Sequence, residues 1–228
     1  MKSFVIAVAL GLVLVSLSFG SPIQCSTVSN YAGLVATGSS GCEIGDKLFS
    51  DFFINGDLTG SQVSIVQVIN APPQETGLTF GFNLSVLFGG TEDFRIGYLV
   101  QTVGGQPLID SAELAMNADT LLGFASIKEH VCAGDDDINC NNGTIYTLST
   151  LVAGSTDQEN ASVKFLQPVS EVFVSKDINV IATPAGYATI SLLTETVDQT
   201  SVIPEPATMG LGILGIVLGL GIKRFRRA

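Results

Sequence analysis

The clearest regularity along the chain is an alternation from Leu78 to Phe88, in which every even position is apolar and the odd positions, Leu87 excepted, are small or polar. A period of two sets alternate side chains on opposite faces of an extended strand, one buried and one wet. Gly89-Gly90 ends the run, and Phe94–Val100 repeats it after a short connection, so the spacing predicts a hairpin. Shorter runs of the same kind predict strands at Asp51–Ile54, Val63–Ile69, Ala112–Met116, Phe124–Cys132, Thr144–Leu151 and Ala161–Leu166. Three more follow at Glu171–Val174, Ile178–Ala182 and Ala188–Val197. Pro72-Pro73, Pro107, Gly154, Pro168 and Pro184-Ala185-Gly186 punctuate them. One short helix fits near Ser29–Val35, and no other stretch of the central region holds a helical period. Many short strands with glycine and proline turns predict an all-β fold, an antiparallel β-sandwich of jelly-roll-like type.

The two ends break this pattern. Lys2 precedes an apolar core, Phe4–Leu17, and Ser18-Phe19-Gly20 offers small residues for cleavage before Ser21, so residues 1–20 read as a signal peptide. An uncleaved N-terminal anchor is the alternative. At the other end Pro204-Glu205-Pro206 leads into Ala207–Ile222, an uncharged, glycine-rich run of 16 residues, followed by a basic hexamer. The run is slightly short against the roughly 20 apolar residues of a comfortable span. Lys223 can snorkel to the headgroups, and the basic end should stay cytoplasmic. The expected order is therefore a signal peptide, an exported domain over 21–193, a polar spacer over 194–203, and a transmembrane helix over 207–222 with its basic tail.

Pro204, Glu205 and Pro206, the apolar run, and Lys223, Arg224, Arg226 and Arg227 stand in register at the C-terminus, and together they resemble the PEP-CTERM sorting signal of Gram-negative surface proteins. The resemblance implies recognition by exosortase, a membrane-embedded cysteine protease, and removal of the tail. It further implies a structural or adhesive role in exopolysaccharide or biofilm at the cell surface. A second likeness lies in Cys25…Tyr31, Gly41-Cys42-Glu43-Ile44-Gly45-Asp46-Lys47-Leu48-Phe49 with Phe52, and Lys176-Asp177-Ile178. Those stretches are similar to a group of exported PEP-CTERM proteins and imply a shared fold without an activity.

Charge narrows the partners. The formal net charge is −11, but five of the ten basic residues sit in the end segments, which leaves five against 21 acids in the exported portion, a balance of −16. Such a surface repels phosphate backbones, which excludes nucleic acid as a partner. Four cysteines in an exported chain favour disulfides. Local pairing is expected, Cys25 with Cys42 and Cys132 with Cys140, because each pair brackets a loop-like segment. Thiolate metal binding is the rival, but neither spacing is CxxC and His130 is the chain's one histidine.

Asp135, Asp137, Asn139 and Asn141 place oxygen ligands at alternate positions, the chemistry a hard cation such as Ca²⁺ prefers. The EF-hand template fails at its sixth and twelfth positions, Cys140 and Tyr146, so weak Ca²⁺ binding competes with a solvated acidic tip. No other cofactor is indicated. Alternation points His130 away from Ala125, Ile127 and Val131 and toward solvent, and no Gly-x-Ser-x-Gly elbow is present, so no enzyme is expected. A carbohydrate- or calcium-binding module is the competing function, with an extracellular hydrolase behind it; for a sugar, Tyr31, Tyr98, Tyr146 and Tyr187 are the available platforms in a chain without tryptophan.

Overall fold

The computed structural model describes residues 22–71, 75–105, 107–154 and 156–200. The segment 1–20, Pro204, Glu205, Pro206, the run 207–222, and Lys223, Arg224, Arg226 and Arg227 lie outside the described residues. Among the described residues, eleven strands form one mixed sheet. They are β1 (Ile23–Gln24), β2 (Cys42–Ile44), β3 (Lys47–Gly56), β4 (Val63–Ala71), β5 (Glu75–Leu87) and β6 (Thr91–Thr102). Then come β7 (Ile109–Ala133), β8 (Thr144–Ala153), β9 (Thr156–Gln158), β10 (Asn160–Val169) and β11 (Glu171–Gln199). The β1–β2 pair is parallel and the other pairings are antiparallel.

The length of β11, 29 residues, holds the key to the architecture. At a rise of about 3.3 Å per residue, Lys176 and Glu195 would stand roughly 60 Å apart on a straight strand. Instead Lys176 Nζ lies 3.4 Å from Glu195 Oε2. The strand must therefore fold back on itself, and its pairings locate the corner. Up to Ala182 it runs between β6 and β7; from Tyr187 it runs between β5 and β7, with the register shifting across Thr183–Gly186. The same corner divides β7 at Leu121–Gly123. The result is two layers face to face, a β-sandwich-like arrangement. The first layer holds β3, β6, the start of β11, the end of β7, and β8. The second holds β4, β5, the end of β11, the start of β7, and β10.

The corner also corrects the expected hairpin. β5 and β6 do not pair with each other; each pairs with β11, on opposite sides of its bend. Gly89 N–H donates to Thr183 O at 2.9 Å and Ala182 N–H donates to Gly90 O at 3.1 Å, so the Gly89-Gly90 turn carries the chain from one layer to the other. Backbones approach so closely here that a Cβ on Gly186 would collide with Leu121 O and stand 2.6 Å from Leu122 O. Glycine is required at that point. For the same reason the pairs Ala112–Met116 with Phe124–Cys132, and Glu171–Val174 with Ile178–Ala182 and Ala188–Val197, belong to single bent strands.

A second correction concerns the expected spacer as far as Thr200, since 201–203 lie outside the described residues. Thr194–Gln199 is the last part of β11, and Glu195, Thr196, Val197 and Gln199 are buried. Gln199 Oε1 accepts a hydrogen bond from the buried Lys47 ammonium at 2.6 Å. The polar letters misled because these side chains find partners inside the fold; polar composition marks a spacer only where nothing satisfies it.

The inward faces meet over a continuous apolar core. Phe80 of the second layer and Tyr98 of the first have ring centroids 6.2 Å apart. A short helix, α1 (Tyr31–Val35), lies against β3 and β4, where Asn30 caps it by accepting from Gly33 N–H at 2.9 Å. Tyr31 is fully buried, meets Phe52 and Phe80 edge-on, and donates its hydroxyl proton to Gly97 O at 2.9 Å. Burial of each such aromatic stabilises the fold by roughly 2–3 kcal/mol. The Cys25–Cys42 disulfide ties the N-terminal segment onto this end.

Candidate functional site

The outward face of the first layer departs from an ordinary wet surface. Its cross-strand rows are Leu99–Phe173–Cys132–Ile145, then Gly97–Ser175–His130–Thr147, then Arg95–Asp177–Lys128–Ser149. Leu99, Phe173 and Cys132 are buried although they point away from the main core. What covers them is Phe53, stacked on Phe173 at 6.2 Å and 9°, together with Cys140. The loop between β7 and β8 is drawn over this face by the Cys132–Cys140 disulfide. Cys140 adopts a positive φ of 51° within it, and Gly143 permits the approach, since a Cβ there would stand 2.7 Å from Cys132 Sγ.

Between the loop and the sheet opens a cleft of about 210 Å³. Ile138, Ile145 and Phe173 make it apolar on one side. Arg95, His130 and Ser175 line the other, and Arg95 Nε–H donates to Ser175 Oγ at 2.8 Å. Arg95 forms no ion pair within 4.0 Å among the described residues, so its charge is available to a ligand. Drug-sized ligands usually occupy at least ~300 Å³, so this cleft suits one ring or a terminal group. A flat apolar wall beside a cation and hydrogen-bonding groups can hold the C–H face of a polar ring while gripping an acidic substituent.

The loop residues expected as cation ligands are tied to one another and to the loop backbone by hydrogen bonds. Asp135 Oδ2 accepts from Asn142 N–H at 2.7 Å and Oδ1 from Asp137 N–H at 3.2 Å. Those backbone donors, Asn142 first, hold the Asp135 carboxyl below its ordinary range. Asp137 Oδ1 accepts from both the backbone and side-chain amides of Asn139, and Oδ2 from the Asn141 side chain at 2.6 Å. The four residues lie in one loop, and the carboxylate oxygens of Asp135 and Asp137 accept from N–H groups within it. Among the described residues no group of three His, Cys, Asp or Glu side chains is arranged to hold a metal.

A larger cleft of about 330 Å³ lies on the outward face of the second layer, between Glu75, Glu113, Thr194, Thr196 and Asn160. Burial, with Asp198 and Glu75 nearby, raises the Glu113 carboxyl; burial and Glu75 raise Asp198 against the hydrogen bond from Ser111. This acidic cleft repels anions and offers no aromatic ring.

His130 lies outward, as alternation predicts, with Ser175 opposite it on β11. It makes no hydrogen bond to a carboxylate among the described residues. Tyr31 and Tyr98 are fully buried and cannot be platforms. Tyr146 packs at a tilt against Phe165, ring centroids 5.1 Å apart, and Tyr187 donates to Asp119 at 3.0 Å. Arg95 and Phe173 were missed from sequence. Arg95 is the one arginine before the basic tail and stands in the polar phase of its strand, which was a usable signal. Phe173 carried none, because its cover comes from a loop distant in sequence.

No family model matches the chain, and no curated protein does either. Among solved structures, TmCBM61 in complex with β-1,4-galactotriose aligns over 64% of this chain and 88% of its own at 14% identity, with a TM-score of 0.33. The enzymatically active domain of bacteriophage CBA120 tailspike protein 4 aligns over 68% of this chain at 11% identity and a TM-score of 0.29, and the alignment spans 20% of the tailspike chain.

Proposed function

We propose that this chain is a non-catalytic surface protein whose β-sandwich-like domain binds saccharide, with a uronate-like acidic sugar seated in the Arg95 cleft. The observation that carries the reading is the pairing of an apolar wall, Ile145 and Phe173, with an arginine that lacks an ion partner among the described residues. Charge complementarity favours an anion locally even though the chain is acidic as a whole, because Arg95 lines the cleft and no carboxylate does among the described residues, although Asp177 stands across from Arg95 on the same face. Two disulfides fit an oxidising compartment. In this reading the sorting signal at 204–228 and exosortase deliver the domain to the cell surface, where it adheres within exopolysaccharide.

The test is a glycan array with the purified full chain, followed by calorimetry on the best ligand. Uronate-bearing glycans should bind, and Arg95→Ala should weaken them roughly 10–100-fold, the value of a charge-assisted hydrogen bond. Glu113→Gln, in the other cleft, should leave affinity unchanged. An array blank for all acidic glycans, or binding indifferent to Arg95→Ala, would refute the assignment.

A further inference from the structure

The interior of the sandwich holds a charged cluster that saccharide binding does not use. Lys176, Glu129 and Glu195 are all within 1% of complete burial. Lys176 and Glu129 are register partners on β11 and β7 in the first layer, while Glu195 reaches in from the second. Lys176 Nζ lies 3.1 Å from Glu129 Oε2 and 3.4 Å from Glu195 Oε2, and 4.9 Å from the centre of the Tyr98 ring. A buried ion pair survives when its remaining lone pairs are hydrogen-bonded. Here all four carboxyl oxygens lack a well-aligned hydrogen bond. Two acids share one buried ammonium, whose other polar contact among the described residues is the Tyr98 hydroxyl at 3.5 Å.

We propose that these side chains are reactants, and that Lys176 Nζ condenses with Glu195 Cδ to form an intramolecular amide joining the two layers, with Glu129 as the proton carrier. With Nζ 3.4 Å from Glu195 Oε2, the amine is held beside the carboxyl it would attack, and well-oriented intramolecular reactants reach effective concentrations of about 10⁵–10⁸ M. Burial, with Glu129 next to it, raises Glu195 well above the ordinary carboxylate range, which favours the neutral acid, the form an amine can acylate on. Burial by itself would lower Lys176; Glu129 first, and then Glu195, reverse that and favour the ammonium.

The step balances. Nζ passes one proton to the Glu129 carboxylate and attacks Cδ of the Glu195 acid, forming the C–N bond. Glu129 returns that proton to the departing hydroxyl, which leaves as water when the C–O bond breaks. Nζ gives its second proton to Glu129, which ends as a neutral acid. The cluster begins with one positive and one negative charge and ends with none, so the reaction removes the buried charges. Glu129 O–H can then donate to the new amide oxygen, which supplies the hydrogen bond the carboxyls lack.

Peptide mapping of the reduced, denatured full chain decides the matter. Trypsin acts at Lys164, Lys176 and Lys223, with no other basic residue between the first and the last. The amide predicts a peptide spanning 165–223, uncut after Lys176 and lighter than its sequence by one water. Lys176→Arg should restore cutting at that position and the full mass, and Glu129→Gln should restore both while keeping Lys176 and Glu195 in place. Separate 165–176 and 177–223 peptides of unaltered mass from the wild-type chain would overturn the proposal. So would a branched product joining 129–164 to Lys176, because it would make Glu129 the acyl group.

Discussion

Removing the Cys132–Cys140 disulfide by Cys132→Ala with Cys140→Ala should loosen one surface of the molecule and the candidate cleft with it. The bond closes a sequence separation of 8, which in the chain-entropy model is worth about 2.5 kcal/mol. The Cys25–Cys42 bond spans 17 and is worth about 3 kcal/mol by the same reasoning. For a domain of this size about 1 kcal/mol moves Tm by 2–4 °C, so the first double variant should lose about 5–10 °C and the second slightly more. Location separates them. Without Cys132–Cys140, nothing covalent holds the 134–143 loop over Leu99 and Phe173, and the wall contributed by Ile138 goes with it. Hydrogen exchange should rise at 134–147 in that variant and at 22–46 in the Cys25→Ala, Cys42→Ala variant, and only the former should lose saccharide affinity. Calorimetric Tm, exchange mapping and binding on the same samples read all three. If the Cys25–Cys42 variant weakens binding as much, or the Cys132–Cys140 variant binds normally, the loop is not a wall of the site.

Three further outcomes follow from the same geometry. Gly186→Ala puts a Cβ against the Leu121 and Leu122 backbones at the corner, where no rotamer can relieve it, so urea unfolding should show a loss of about 1–3 kcal/mol. Full stability would mean that the corner is not closely packed. Tyr31→Phe leaves Gly97 O without its hydroxyl donor, and should cost about 1–3 kcal/mol in the same assay with the apolar contacts intact. Asp135→Asn tests the loop's pH dependence. Because the folded carboxyl titrates below its unfolded value of about 3.9, its contribution is present above that value and is lost as pH falls through the folded one. Wild type should therefore exceed the variant at pH 7 and converge with it under stronger acid; a gap independent of pH would assign the effect to shape alone.

Alternation along the chain was enough to locate most strands and to assign all-β class, because a half-buried strand must repeat every two residues wherever it lies. It also set His130 outward, and it placed Glu129 in phase with Ala125, Ile127 and Val131, and Lys176 in phase with Val174 and Ile178. Those inward charges were therefore legible as anomalies, although nothing in the local pattern said that they would meet. Both disulfides were readable from spacing, since short separations favour local closure.

What the sequence could not decide is where strands turn together. Pro184-Ala185-Gly186 and Gly89-Gly90 look like ends of strands, yet one bends a strand that continues and the other passes the chain between layers. The partner across each backbone, and so the face a side chain covers, depends on contacts between residues far apart in the chain. That is why Arg95 met Phe173 and Ile145, and why Glu195 met Lys176, only once the sheet had folded over: local pattern sets a side chain's phase, and tertiary packing sets its company.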